Sequence, residues 1–305
     1  MTIQQCKYVL EIARLGSFNE AAKQLFVAQS GLSSSIKQLE GELGIRIFDR
    51  SKSGVCLSPD GAEFVRYAEQ IVKQNDFIVD RYSRGEKESK LYICTQHYDF
   101  VVDIFCKLLS ETKEEKFDFS IREIQTYEVI RAVETSLCDI GIIAIKDNDL
   151  DIMNRYLLSK GVSFTQLLTA SPHVFVRRAH PLTEQAMISY DALAPYPYLA
   201  YEQGSHNSSF FTEELISDLK AAKRVIISDR ATLMNALLTT DSYTVGTGIM
   251  PSALNSGKIV GIPIDTESYY RIGYLRRKEA VPTPLTSSFV TLLDSFAAEY
   301  ATVAK

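Results

Sequence analysis

The sequence predicts an α/β protein led by a small helical head. Three observations carry that reading. Two short amphipathic patterns within residues 16–50 are separated by only four residues, 26–29. Residues 59–82 repeat apolar positions in alternating steps of four and three. From Leu91 onward, short apolar runs alternate with helical patterns, as strands and helices do when they pack in layers. A chain of 305 residues, 46% of them hydrophobic, suits two or three domains that each bury a core of their own.

Taken in order, residues 2–15 place Ile3, Cys6, Val9, Leu10 and Ala13 on one helical stripe. Gly16 ends that helix and Ser17 caps the next. Ala21, Ala22 and Leu25 then share one face, and Leu32, Ile36 and Leu39 another. Two helices joined so closely must cross steeply, with Val27 and Leu32 filling the angle. The second helix is left with Gln29, Ser30, Ser33, Ser34 and Lys37 pointing outward. These are donors and acceptors suited to base edges and phosphates in a major groove. Residues 45–48 and 55–57 read as an extended pair around a polar turn, a small wing. Arg50 and Lys52, with Arg46, are placed there to touch phosphate or a minor groove.

Ser58 and Pro59 open a helix that runs to Tyr82. Its apolar steps describe a coiled-coil seam, in which Val65, Ala68, Val72 and Val79 are the expected contacts to the same helix of a second subunit. Residues 84–90 are charged and poor in apolar side chains, which is the composition of a hinge. Beyond it, strands are expected at 91–94, 117–124, 140–145, 164–168, 174–176, 198–201, 225–227, 243–245 and 269–275. Helices are expected at 100–109, 129–137, 210–219, 231–238 and 285–300.

The net charge of −5 is unevenly spread. Residues 1–85 hold 11 Lys and Arg against 10 Asp and Glu, a net of +1, so the rest of the chain carries −6. Nucleic acid should therefore meet the head alone. The amino terminus reads as an amphipathic helix and not a signal peptide, and no run is long enough to span a membrane, so a cytoplasmic protein is expected. Five cysteines without a CxxC and four scattered histidines predict neither a disulfide framework nor a metal site. No GxSxG elbow, Walker loop, HExxH or Rossmann fingerprint is present, which argues against an enzyme and against a bound cofactor.

Ser17-Phe18, Ala21-Ala22, Leu25, Gln29-Ser30, Leu32-Ser33, Ile36, Leu39-Glu40, Leu43-Gly44 and Phe48-Asp49-Arg50 resemble the amino-terminal signature of LysR-type transcriptional regulators. The resemblance implies a winged helix-turn-helix (1–58), a linker and dimerisation helix (59–83), a hinge (84–90) and an effector-binding domain (91–305). That domain would be two-lobed and similar to a periplasmic binding protein, with lobe I at 91–164 and 268–305 and lobe II at 165–267. The implied partners are double-stranded promoter DNA, a small-molecule effector in the interlobe cleft, and further copies of the chain in a homodimer or homotetramer. Ser34 and Ser35 depart from the family pattern, in which an Arg or another long polar side chain is common there.

Ligands of open parallel sheets collect at the carboxyl ends of strands, where helix N-termini offer free N–H groups. That rule singles out Thr95 and Gln96, Thr126 and Tyr127, Tyr201 with Ser205 and His206, and Thr247 as effector contacts. No Lys or Arg falls in these junctions, so they would hold a carboxylate through neutral donors and helix dipoles. Neighbouring aromatic residues make an aromatic metabolite the other expectation. Two alternative functions follow from the same features, a two-lobed small-molecule receptor and a thiol-based redox-sensing regulator. The second is weighed down because no cysteine lies in lobe II, where the family's peroxide sensors carry theirs.

Overall fold

A computed structural model describes residues 1–51, 54–82, 89–203, 211, 221–250 and 257–303. It divides the chain into two units, Met1–Lys87 and Glu88–Lys305. In the first, helix α1 (Ile3–Leu15) starts from a capping box: the Thr2 hydroxyl accepts from the Gln5 amide, and the Gln5 side chain accepts from the Thr2 amide. Ser17 caps α2 (Phe18–Gln24), and α3 (Gln29–Leu43) follows a short turn. Val9, Ile12, Phe18, Ala21, Leu32, Ile36, Leu39 and Ile47 form the core between them. Along α1 the buried stripe is Gln5, Cys6, Val9 and Ile12, whereas Ile3 is 41% exposed.

The wing pairs β1 (Phe48–Ser51) antiparallel with β2 (Gly54–Leu57), Phe48 opposite Leu57. The first strand starts at Phe48 and not at residue 45. The Glu40 carboxylate accepts from the amides of Ile47 (2.7 Å) and Phe48 (3.2 Å), which turns the backbone toward α3 before the strand begins. Helix α4 (Pro59–Tyr82) is capped by Ser58, whose hydroxyl accepts from the Gly61 amide at 2.9 Å and donates to the Arg46 carbonyl.

The seam expected along α4 is corrected in its first half. Helix α1 packs against α4, and Lys7 pairs with Asp76 at 2.8 Å, so Ala68 is fully buried and Val65 joins the head's core within one chain. Val72 is half-buried and Val79 is 50% exposed, beside Ile78 at 49%.

The second unit rests on a five-stranded sheet in the order β4-β3-β5-β12-β6. Its members are β3 (Ser89–Thr95), β4 (Phe117–Glu123), β5 (Ile140–Lys146), β6 (Val162–Ala170) and β12 (Tyr270–Arg277). The first three run parallel, and β12 runs antiparallel to both β5 and β6. One face is covered by α5 (Asp99–Glu111) and the closing helix Pro284–Val303, the other by α6 (Thr126–Glu134) and α7 (Leu150–Ser159). A second group of strands begins after Ala170. There β7 (His173–Arg177) lies between β10 (Thr244–Gly246) and β11 (Ile259–Pro263), while β8 (Tyr198–Tyr201) runs parallel to β9 (Arg224–Ile227). Short α8 (Tyr190–Leu193) and α9 (Arg230–Thr239) accompany them.

Two expected boundaries move. Residues 164–168 were to open the second lobe, but β6 pairs with β12 and sends Leu168 and Ala170 into the first sheet's core. The first half therefore extends to Ala170. The hinge ends sooner than residue 90, because Ser89 and Lys90 already pair with Phe117 and Asp118. Residues 84–88 and, Phe211 apart, the helix expected at 210–219 lie outside the described residues. No described helix is long and apolar enough to cross a membrane.

Gly61 sets how closely α4 approaches the wing, since a Cβ there would sit 2.0 Å from the Ile47 carbonyl oxygen. Gly61→Ala should destabilise the head by about 1–3 kcal/mol, as overpacking does. Gly41, inside α3 with nothing within 4 Å of such a Cβ, should respond oppositely. Gly41→Ala should add ~0.5–1 kcal/mol through helix propensity alone. Denaturant unfolding of the two full-length variants checks the pair; equal shifts of one sign would contradict it.

Candidate functional site

Leu32, Ile36 and Leu39 bind α3 to the head, which turns Gln29, Ser30, Ser34 and Lys37 to solvent and leaves Ser33 half-buried. The helix starts at Ala28, which supplies no side-chain cap, so the N–H groups of its first turn face outward beside Gln29 and Ser30. An uncapped N-terminus flanked by short polar side chains suits a phosphate or a base edge. Position is fixed from three sides. The Gln5 side-chain Nε2 donates to the Ser35 carbonyl at 3.3 Å, Glu40 ties α3 to the wing, and Phe18 meets Phe48 edge-on at 5.7 Å. Arg50 stands on β1 opposite Val55, and Arg46 pairs with Asp49 at 3.7 Å on the surface. Lys52 lies outside the described residues.

The turn ahead of α3 contains Phe26 at φ +53°, one of two described non-glycine residues with positive φ. Its ring is 95% exposed. For a residue with a Cβ the left-handed region costs about 1–2 kcal/mol.

In the second unit the carboxyl ends of β3 and β4 bring several expected residues together. Thr95 is fully buried, and its hydroxyl oxygen has no hydrogen-bond partner among the described residues. Gln96, 1% exposed, is a structural tie: its amide group donates to the Thr126 hydroxyl, and its carbonyl accepts from the Ala144 amide (2.7 Å) and the Tyr98 hydroxyl (2.5 Å). Gln96 thus fixes the ends of β3 and β5 and the start of α6, with its polar atoms already engaged. Tyr127 packs edge-on against Phe211, ring centres 5.4 Å apart, and Thr247 is buried just after β10. Ser205 and His206 lie outside the described residues.

Facing contacts join the two halves. The His97 and Tyr201 rings stack at 3.7 Å and 11°, and the Gln125 side chain donates to the Glu202 carbonyl at 3.3 Å. The strongest link was not anticipated. Arg230, first residue of α9, binds Glu123 through two nitrogens and Asp99 through a third. The three side chains are only 20%, 22% and 12% exposed. Burial lowers the guanidinium pKa to about 10, still protonated at neutral pH. The junctions named from the sequence hold no Lys or Arg, and Arg230 brings a cation to the contact between the halves from a junction outside that set. Ser228-Asp229-Arg230 is itself a strand-to-helix junction, so the rule that found Thr95 and Thr126, applied once more, would have found Arg230.

Cys94 and Cys138 meet in the core, 2% and 4% exposed. The hydrogen bond between them lowers the Cys94 pKa, and together with burial it raises that of Cys138 well above the usual thiol range. Neither sulfur offers an oxidant a solvent-facing thiolate.

Residues 3–62 match the family described as bacterial regulatory helix-turn-helix protein, lysR family, and residues 100–298 the LysR substrate binding domain. The uncharacterized HTH-type transcriptional regulator YcgK of Bacillus subtilis (strain 168) is 46% identical over 76 residues, which span 25% of this chain and 24% of that protein. YbhD, an uncharacterized HTH-type transcriptional regulator of Escherichia coli (strain K12), is 24% identical across 95% of this chain and 90% of its own length. The HTH-type transcriptional regulator cbl of Klebsiella aerogenes is 28% identical over 67% of this chain and 63% of its own. In fold, the chain is similar to full-length CbnR complexed with the target DNA, at a TM-score of 0.64, 17% identity and coverage of 97% and 99%.

Thr126→Val would leave the Gln96 amide group without its acceptor in a buried setting. The expected cost is about 1–3 kcal/mol. Gln96→Ala combined with Thr126→Val should cost less than the sum of the single changes, because the pair acts as one unit. A double-mutant cycle by denaturant unfolding measures that coupling; strict additivity would mean that the bond contributes nothing.

Proposed function

The chain belongs to the LysR family of bacterial helix-turn-helix regulators, and from that premise we propose how its parts divide the work. It is a DNA-binding transcriptional regulator with an effector-binding domain, not an enzyme. Residues 1–58 form the reading head, 59–83 the linker helix, 84–88 the hinge and 89–305 the effector domain. Within the head, α3 lies in the major groove of promoter DNA, with Gln29, Ser30, Ser33, Ser34 and Lys37 on base edges and phosphates. Arg50 and Lys52 hold the backbone beside it.

The effector enters between the half made of 89–170 with 268–305 and the half made of 171–267. The observation that carries this reading is Arg230, which reaches from one half to Asp99 and Glu123 of the other. A carboxylate on the effector competes for that guanidinium, and an aromatic ring competes for the His97–Tyr201 stack. Thr95, buried beside Glu123 on the neighbouring strand, supplies a hydroxyl. Effector alters promoter binding only as far as it prefers one arrangement of the halves to another. The protein is placed in the cytoplasm.

The test begins with duplexes enriched by the full-length protein from a random-sequence library, and measures Kd with and without a panel of aromatic and aliphatic carboxylates. Gln29→Ala should lose ~1–3 kcal/mol of discrimination at particular base pairs and keep the wild-type response to an active carboxylate. Failure to enrich any sequence would refute the head's role. A panel in which no carboxylate shifts Kd would refute the assignment of effector class.

Copies of the chain pair through the exposed half of α4. Ile78 and Val79 are about half exposed there, and a groove of about 420 Å³ lined in part by Leu43, Ile45, Phe64, Tyr67 and Ile71 opens at the other end of the helix. Single apolar residues are ordinary on a surface, whereas an apolar run along one helix calls for a partner. Val79→Asp should convert the oligomer, a homodimer or homotetramer, to monomer in sedimentation velocity. A wild-type protein that is already monomeric would contradict the pairing.

A further inference from the structure

We propose that Phe26 is a DNA-contact residue whose ring rests on an apolar edge of the operator, a thymine methyl or a deoxyribose, beside the groove entered by α3. The inference rests on the reading role given to α3. Its motive is a contrast inside the head. Helices α1 and α3 both end on a glycine in the left-handed region, Gly16 at φ +62° and Gly44 at φ +68°. At the end of α2 the chain takes the same conformation at Phe26, φ +53°. The Val27 amide reaches back to the Ala22 carbonyl at 3.0 Å and the Leu25 amide to the Ala21 carbonyl at 2.9 Å, so the turn is a regular helix end of the kind glycine favours.

Nothing within the head accounts for a phenylalanine there. The left-handed conformation disfavours any side chain with a Cβ, and a ring that is 95% exposed gains no burial. Phe26 is the most exposed of the large hydrophobic side chains described, and the next in the head, Tyr67 at 57%, lies on α4 and not in this turn. Phe26 stands two residues before Ala28, where the uncapped first turn of α3 begins, and exposed Gln29 and Ser30 follow directly. The short turn thus keeps the ring near the start of the helix given the reading role. On a duplex the apolar groups within reach of a groove edge are the thymine C5-methyl and the sugar carbons.

The test uses the full chain and the duplex that wild-type protein enriches from a random-sequence library. Phe26→Asn suits a residue type that tolerates the left-handed region, so its thermal midpoint should equal or exceed that of wild type. Its Kd should nevertheless rise about 3- to 10-fold, the loss expected for partial burial of a ring. Phe26→Tyr keeps the ring and should bind within about 2-fold of wild type on the same reasoning. Replacing thymine by uracil in the duplex removes the methyl alone. A methyl contact makes wild type sensitive to that change and Phe26→Asn insensitive, whereas a deoxyribose contact leaves both insensitive. Wild-type affinity in a stable Phe26→Asn overturns the proposal. If Gln29→Ala in the same assay also binds with wild-type affinity and preference, the reading role of α3 falls with it; if Gln29→Ala is impaired and Phe26→Asn is not, only the role of Phe26 falls.

Discussion

One guanidinium shared between two carboxylates sets the geometry of the effector domain. Arg230 comes from the strand group built on β7, and Asp99 and Glu123 from the elements of the five-stranded sheet, so the bond joins the two halves and does not lie inside either. A mostly buried ion pair is a poor source of net stability, because the cost of desolvating the charges offsets most of their attraction. Removing one partner is a different matter, since it strands charge in a low-dielectric site. A link of that kind adds little to the total stability but discriminates sharply between made and broken states, as a device controlled by a ligand requires. The His97–Tyr201 stack and the Gln125–Glu202 bond lie across the same divide and carry no net charge.

The head obeys a different constraint, rigidity from α3 outward. Glu40 holds the start of the wing, Ser58 joins the loop before β1 to the first turn of α4, and Gly61 lets α4 close on Ile47. The first two links are polar side chains bonded to backbone, and the third is a close approach that only a missing side chain allows. Helix α3, the wing and the first turn of α4 are thereby joined into one packed unit. That is the property a regulator needs if pairing along α4 is to fix the spacing of two reading helices.

Much of this was legible in the sequence, and the failures share a cause. The helix pair, the caps at Ser17 and Ser58 and the strand at 198–201 follow from periodicity and local chemistry, and the structure places them where residue types alone would. What periodicity cannot say is which partner covers a given face. The stripe on α4 fits a second subunit or α1 equally well as a pattern, and α1 covers Val65 and Ala68. Residues 164–168 alternate like any strand, and only their pairing with β12 assigns them to the first sheet. Helix α7 and strand β11 are absent from the sequence reading although turn residues precede both, Asp147-Asn148-Asp149 and Asn255-Ser256-Gly257. Arg230 was missed through incomplete use of a sound rule, and its partners Asp99 and Glu123 could not have been named, because they lie more than a hundred residues away in sequence.

If Arg230 governs the spacing of the two halves, a distance measured between them reports it directly. Cys106, exposed on α5, and a cysteine placed at exposed Asn235 on α9 can carry a spin-label pair once exposed Cys56 is replaced by Ser. Double electron–electron resonance on this protein should give one narrow distance distribution in the absence of effector. Adding Arg230→Gln should broaden that distribution and shift it to longer distances. An unchanged distribution in the Arg230→Gln protein would show that the halves are held by something else and would contradict the account.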